Sequence, residues 1–291
     1  MTTKPSSFDK LSERLRRYQL LNFEFRLIIR TDGQMSVKPI RTLQVEKLPV
    51  AVYESNEALG AAAALDARTS IQRAIAARGV ANVILATGNS QLTFLHALRE
   101  LDGIDWARVN LFHMDEYLGI DSAHPASFPL FLRQHIVDVV RPKAFYPVPN
   151  RLHNVERACA DYAELLHTHP ADLVALGYGE NGHLAFNDPP YAEFNDPVWV
   201  KVIKLDGASR RQQVGEGHFP DLDAVPTHAI TLTIPALLAA KQVLAIVPEA
   251  RKADAVRACL SEPVHEDRPG SILRQVDHAQ LYLDTDSAAL I

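Results

Sequence analysis

The sequence is poor in cysteine, with Cys159 and Cys259 its two examples among 291 residues. Each stands alone in a helix-like stretch, so there is no disulfide framework and no paired-cysteine metal spacing. Both read as small buried apolar side chains in a reducing compartment. Also missing is any run of roughly 18 apolar residues, the length a membrane span needs. The N-terminus has no apolar core of the signal-peptide kind, so the expected location is cytoplasmic, with no membrane partner. Excess positive charge is absent too. Lys+Arg number 30 against 35 Asp+Glu, a formal net charge of -5, which argues against a chain-wide surface for nucleic acid. There is no internal repeat and no low-complexity linker. What the chain does have is 47% hydrophobic residues, enough for one large α/β domain, alone or with a small appendage.

Residues 1–48 read differently from 49–291. Leu11 to Leu21 has helical spacing with a basic face, which a solvated helix explains better than a lipid surface does. Phe23 to Ile29 and Met35 to Val45 are extended runs on either side of Asp32-Gly33, a hairpin signal. This helix plus hairpin is expected to be an extension packed on the main domain or a contact for homo-oligomer formation. From Leu48 onward short apolar strands alternate with helices. The strands are expected over Leu48–Glu54, Ala81–Thr87, Val109–Met114, Ala144–Val148, Ala171–Leu176, His228–Thr233, Gln242–Val247 and Gln280–Leu283. Helices are expected over Asn56–Arg78, Ser90–Leu101, Ser127–Val140, Val155–Leu166, Pro235–Ala240 and Arg251–Leu260. The alternation predicts an α/β fold: a doubly wound, mostly parallel sheet with helices on both faces and room for antiparallel edges. Ligands of such sheets sit beyond the carboxyl ends of the strands, which directs attention to the residues after Thr87, Met114, Leu176 and Val247.

Thr87-Gly88-Asn89-Ser90 joins a strand to a helix. Gly88 permits close approach, the side chains offer donors, and the helix start directs free N–H groups at an anion. An ordinary helix cap has the same residues. Next comes His113-Met114-Asp115-Glu116-Tyr117. Adjacent carboxylates at a strand end oppose each other's ionisation unless they are solvated or employed, so one is a candidate general base. A metal on His113 and Asp115 lacks a completing ligand cluster, and none is expected. The third segment, Gly177 to Pro189, satisfies G-x-G-x-x-G after a strand. That dinucleotide fingerprint must open a helix, yet Asn187, Asp188, Pro189 and Pro190 follow, and they do not continue one. A glycine-rich loop presenting Glu180, Asn181, His183 and Asp188 remains, with His183 as a proton shuttle or as a locally satisfied histidine. Finally, Ser209-Arg210-Arg211 and Arg251-Lys252 begin helix-like stretches; either is a solvated pair or a phosphate partner.

Together, Thr87-Gly88-Asn89-Ser90, Met114-Asp115-Glu116-Tyr117, His124-Pro125-x-Ser127, Gly179-x-x-Gly182-His183-x-Ala185-Phe186-Asn187 and Arg251-Lys252-Ala253 resemble, in order and spacing, the glucosamine-6-phosphate deaminase/6-phosphogluconolactonase superfamily. The resemblance covers about residues 48 to 291 and favours the deaminase/isomerase branch, because lactonases typically follow Gly-His with Thr-Ala-Ser. Glu180 before Asn181 is similar to the lactonase loop. The resemblance implies a Rossmann-like fold and a cofactor-free conversion of a hexosamine 6-phosphate to fructose 6-phosphate and ammonia. It implies Asp115 as the base moving a proton between C2 and C1, beside Glu116. It also implies His183 as the group assisting ring opening, oriented by flanking acidic residues, with Glu180 or Asp188 compensating for Asn181 or the histidine working differently. The phosphate would sit on Thr87, Gly88, Asn89 and Ser90, with Arg210 and Lys252 as cationic partners. Asn181 stands where the deaminases have aspartate, and Asp188 where they have glutamate. Galactosamine 6-phosphate as substrate, lactone hydrolysis and a non-catalytic sugar-phosphate sensor are the alternatives.

Overall fold

The computed structural model describes residues 27–29, 35–189, 191–205, 207–215, 217 and 219–291. The basic helix expected over Leu11–Leu21 lies outside them. The chain divides into two units, Met1–Lys38 and Pro39–Ile291. In the first, β1 (Leu27–Ile29) and β2 (Met35–Val37) pair antiparallel, Ile29 opposite Met35. The division falls at Lys38 rather than at residue 48 because β3 (Arg41–Val45) pairs antiparallel with β4 (Leu48–Tyr53) through a tight turn in which Glu46 has φ 53.

The second unit holds β5 (Ala81–Leu85), β6 (Val109–His113), β7 (Asp115–Tyr117), β8 (Ala144–Tyr146), β9 (Leu173–Leu176), β10 (Val200–Lys204), β11 (His228–Leu232), β12 (Val243–Val247) and β13 (Ala279–Asp284). Eight strands form the main sheet in the order β3-β4-β13-β12-β9-β5-β6-β8, and every pairing but β3–β4 is parallel. β5, β6, β9 and β12 are buried along their whole length. That is why β9 and β12 are continuous apolar runs, and β5 and β6 are broken only by the buried Asn82, Asn110 and His113, rather than alternating. From β5 the chain moves outward to β6 and β8, then returns to β9 on the other side of β5 and continues to β12 and β13. Strand order therefore reverses between β5 and β9, and a crevice opens beyond their carboxyl ends.

The small antiparallel sheet β10-β11-β7 is a departure from the alternation read in the sequence. There His228–Leu232 leaves the main sheet to pair with Val200–Lys204 and with Asp115–Tyr117, Thr231 standing opposite Asp115. Five-residue Val200–Lys204 was not anticipated, being short and only partly buried. A second apolar cluster that includes Tyr117, Ile203, Phe219 and Val225 forms around this sheet.

The Asn56–Arg78 helix starts where Ser55 Oγ accepts from the Ala58 amide at 3.3 Å and stops at left-handed Gly79. Its alanine-rich face allows the Leu92–Glu100 helix to come close. A Cβ on Gly60 would lie 2.7 Å from the Thr93 carbonyl carbon and 2.8 Å from the Phe94 nitrogen. Alanine gains up to about 1 kcal/mol of helix propensity over glycine, but overpacking against backbone costs about 1–3 kcal/mol. Gly60→Ala is therefore expected to lower the urea midpoint; an equal or higher midpoint would show that the two helices separate freely.

Candidate active site

Beyond β5 the backbone turns at Gly88, whose φ of 100 and ψ of 161 suit glycine. It then enters a short turn, Asn89–Gln91, that runs into the Leu92–Glu100 helix. Gln91 is 1% exposed, and its Nε2 donates to the Ile246 carbonyl at 3.1 Å, tying this turn to the end of β12. At Gly177, at the end of β9, a Cβ would sit 2.8 Å from Gln91 Nε2 and 3.3 Å from the Ile246 carbonyl oxygen, so a side chain there would displace the Gln91 amide. The turn thus lines the crevice between β5 and β9, at the start of a helix, where an anion is favoured. From the neighbouring end of β12, the turn Ala250–Lys252 brings in Lys252, which is 4% exposed. Arg251 stands beside it, its Nε 2.5 Å from Glu249 Oε2 and its Nη1 3.8 Å from Glu180 Oε1.

Asp115 and Glu116 point to opposite sides of β7, as successive strand residues do. Asp115 lines the crevice. Burial, and secondarily the Glu116 carboxylate, push its carboxyl up to about 8. Glu116 is fully buried behind it. Its Oε1 accepts from the Tyr117 amide at 2.8 Å; its Oε2 accepts from Ser127 Oγ at 2.9 Å and from the Phe128 amide at 3.2 Å. Burial raises Glu116 to about 7 against those three hydrogen bonds, which lower it. Glu116 therefore anchors the start of the Phe128–Leu132 helix, whose Phe128, with Phe131, walls the crevice. His113 faces elsewhere: it is buried, its Nε2 accepts from the Val148 amide at 2.8 Å, and burial lowers it to about 3. It is thus held neutral, and among the described residues no group of three or more His, Cys, Asp or Glu gathers as a metal site.

The glycine-rich loop packs His183 directly on the backbone of Gly179, where a Cβ would come within 2.2 Å of the imidazole. His183 Nδ1 lies 2.8 Å from Asn181 Oδ1 and 2.7 Å from Asp188 Oδ1. Both neighbours are acceptors, because Asn181 Nδ2 is committed to Asp188 Oδ1 at 2.8 Å. The proton of a neutral His183 therefore belongs on Nδ1, which leaves the Nε2 lone pair for a ligand. Asp188 is 2% exposed, so its partnership with the imidazole is poorly screened.

Thr87, Gly88, Asn89, Ser90, Asp115, His183 and Lys252 line one cleft at the strand ends. Asn181 and Asp188 stand behind His183, and Glu116 behind Asp115. Two expected residues lie elsewhere. Glu180 is exposed and faces Arg251 at the rim. Arg210 donates through Nη2 to the carbonyls of Leu222 and Val225, the latter at 3.0 Å, because the helix that carries it turns Gln213 toward the cleft instead. Sequence reasoning passed over Gln91, Tyr178, Gln213, Phe128 and Phe131 in the lining. Only Gln91 carried a signal, as a polar residue directly after the Thr87–Ser90 turn.

Residues 54–283 match the sequence family described as glucosamine-6-phosphate isomerases/6-phosphogluconolactonase. A glucosamine-6-phosphate deaminase of Bacillus cereus (strain G9842) is 33% identical over 207 residues, 71% of this chain and 76% of that protein. One from Bacillus pumilus (strain SAFR-032) is 32% identical over 245 residues, 82% of this chain and 98% of its own. Among solved structures, a monomeric glucosamine-6-phosphate deaminase superposes with a TM-score of 0.76 at 26% identity, covering 83% of this chain and 99% of that one. A 6-phosphogluconolactonase from Shewanella baltica reaches 0.69 at 22% identity over 83% and 100%, a likeness of fold.

Proposed function

The chain belongs to the glucosamine-6-phosphate isomerase/6-phosphogluconolactonase family, and from that premise we propose that it deaminates a hexosamine 6-phosphate, glucosamine 6-phosphate first, to a ketose 6-phosphate and ammonia. The observation that carries this reading is Asp115: a buried carboxylate lining the cleft in addition to the His183–Asp188 pair. Lactone hydrolysis needs one base to activate water. Moving a hydrogen from C2 to C1 of an open-chain sugar needs a second group, poised to take a proton from carbon and return it.

In the proposed reaction the phosphate sits on the Thr87–Ser90 turn with Lys252, and that distant binding energy holds C1 and C2 in place. His183 Nε2 takes the anomeric hydroxyl proton and returns it to the ring oxygen as the pyranose opens. Asp115 then removes the C2 proton while O1 takes up the proton released by the substrate's 2-ammonium group, giving an enolamine, and returns its proton to C1. The resulting C2 imine adds water and expels ammonia, so one water is consumed per ammonia released. Phe128 and Phe131 limit water beside the enolamine.

The test is ammonia release from glucosamine 6-phosphate, with galactosamine 6-phosphate and 6-phosphogluconolactone in parallel. Ammonia with a stoichiometric ketose phosphate is expected from the gluco substrate. Lactone hydrolysis without ammonia would move the chain to hydrolysis, and tight binding without turnover of any of the three would make it a sensor.

A further inference from the structure

The sharpest backbone feature near the cleft is Glu249, which has φ 83 and ψ 140. Side-chain-bearing residues almost never adopt that region, and one that does is held there by its surroundings. Here the holder is Asp284. Strands β12 and β13 run parallel, with Val247 opposite Leu283, so Asp284 follows immediately at the end of the neighbouring strand. Its two carboxylate oxygens accept the Glu249 amide at 3.2 and 3.0 Å. The carboxylate is itself fixed, since Oδ1 accepts the Ser287 amide at 2.8 Å while the Asp284 amide donates to Ser287 Oγ at 3.1 Å. Asp284 is 4% exposed and Ser287 fully buried.

The turn held this way leads to the cleft. The Glu249 carbonyl accepts the Lys252 amide at 3.0 Å, closing the turn that places Lys252 in the lining. The Glu249 carboxylate takes Arg251 Nε at 2.5 Å and holds that guanidinium at the rim. One residue therefore fixes both cations, Lys252 through its carbonyl and Arg251 through its side chain. A glycine would accept the backbone conformation freely but could not hold the arginine. Asp284 does not touch the cleft; it determines where the cations stand.

We propose that Asp284 is a positioning residue for phosphate recognition: by pinning the left-handed Glu249 it sets Lys252 and Arg251 against the Thr87–Ser90 turn. The proposal rests on the reading of that turn as the phosphate seat. The rival account is a plain tie between strand ends, which would affect stability and nothing else.

The experiment is calorimetric titration of the full chain with inorganic phosphate, alongside KM and kcat for glucosamine 6-phosphate. Asp284→Asn keeps the shape but sets an NH2 against the Glu249 N–H. A hydrogen bond to a charged group is worth enough to change binding about 10- to 100-fold. The variant is expected to weaken phosphate binding and raise KM by such a factor, with kcat changed much less. Adding Glu249→Gly to it should recover part of the phosphate affinity, the share that depends on Lys252, because glycine needs no pinning but cannot hold Arg251. Unchanged phosphate affinity in Asp284→Asn, whatever its melting temperature, overturns the proposal, as does a double variant that recovers nothing. Should Asp284→Asn not fold, Glu249→Ile opposes the same backbone conformation with Asp284 intact and must weaken phosphate binding equally; if it does not, the proposal fails. A parent chain that binds phosphate but releases no ammonia removes the reaction and leaves this inference standing. A parent that binds no phosphate removes both.

Discussion

Asp115→Asn is expected to cut ammonia release from glucosamine 6-phosphate by about 10²–10⁴-fold, the usual worth of a positioned acid/base group. Substrate affinity should stay within a few-fold, because the residues proposed to hold the phosphate lie on other elements. Asparagine has nearly the same shape and cannot take a proton from carbon, so the loss belongs in kcat. Turnover within about tenfold of the parent would remove Asp115 from the mechanism. The pH profile offers an independent check. Burial first, and Glu116 second, push Asp115 up to about 8, so the basic form grows as pH rises. In the parent, kcat/KM should climb through neutrality and level off above about 8. Glu116→Gln removes the second cause and should move that limb to lower pH.

The same carboxyl links activity to stability, with a definite sign. Asp115 binds its proton more tightly folded than unfolded, where the side chain titrates near about 3.9. Its favourable contribution is therefore complete below about 4 and is lost as pH rises through about 8. Above that, an ionised, buried Asp115 burdens the fold, and asparagine relieves it. The inactive Asp115→Asn chain should then melt higher than the parent at pH 9 and close to it at pH 5. This pattern is one that a merely misfolded variant does not produce.

The main sheet was legible because strands buried on both faces leave uninterrupted apolar runs. Leu173–Leu176 and Val243–Val247 are such runs, Ala81–Leu85 is one broken only by Asn82, and each is followed by a change of composition at a strand end. The Asn56–Arg78 helix showed both of its ends, through Ser55 and Gly79. The small sheet was not legible. Asp115–Tyr117 reads as a charged turn, and its strand character comes from pairing with residues more than a hundred positions away. Side-chain direction was equally hidden. Asp115 and Glu116 look interchangeable in sequence, and a single step along β7 sends one to the cleft and the other to Ser127 and the Phe128 amide. Arg210 and Gln213 share a helix, and only the fold determines which of the two turns inward.

Asp188 is where a second large effect is expected, and where the departure at Asn181 acquires a physical account. Asn181 cannot supply charge to His183, but it donates to Asp188 Oδ1, the same oxygen that faces His183 Nδ1. The amide thus fixes the carboxylate, and in the proposed reaction the carboxylate would supply the charge that an imidazolium forming during ring opening requires. Asp188→Asn keeps an oxygen available at that place and removes the charge; Asp188→Ala removes both. Loss of a buried charge-assisted hydrogen bond amounts to about 1.5–3 kcal/mol, so kcat/KM should fall about 10- to 100-fold in Asp188→Asn and further in Asp188→Ala. Asn181→Asp should not improve the enzyme, since it would set a second carboxylate against Asp188 Oδ1 where a donor now stands. The step affected can be identified with substrate deuterated at C2. If His183 serves ring opening, crippling Asp188 makes that step limiting, and the primary isotope effect on turnover shrinks toward unity. An isotope effect that instead grows would place the His183–Asp188 pair in the C2-to-C1 transfer and leave ring opening to another group.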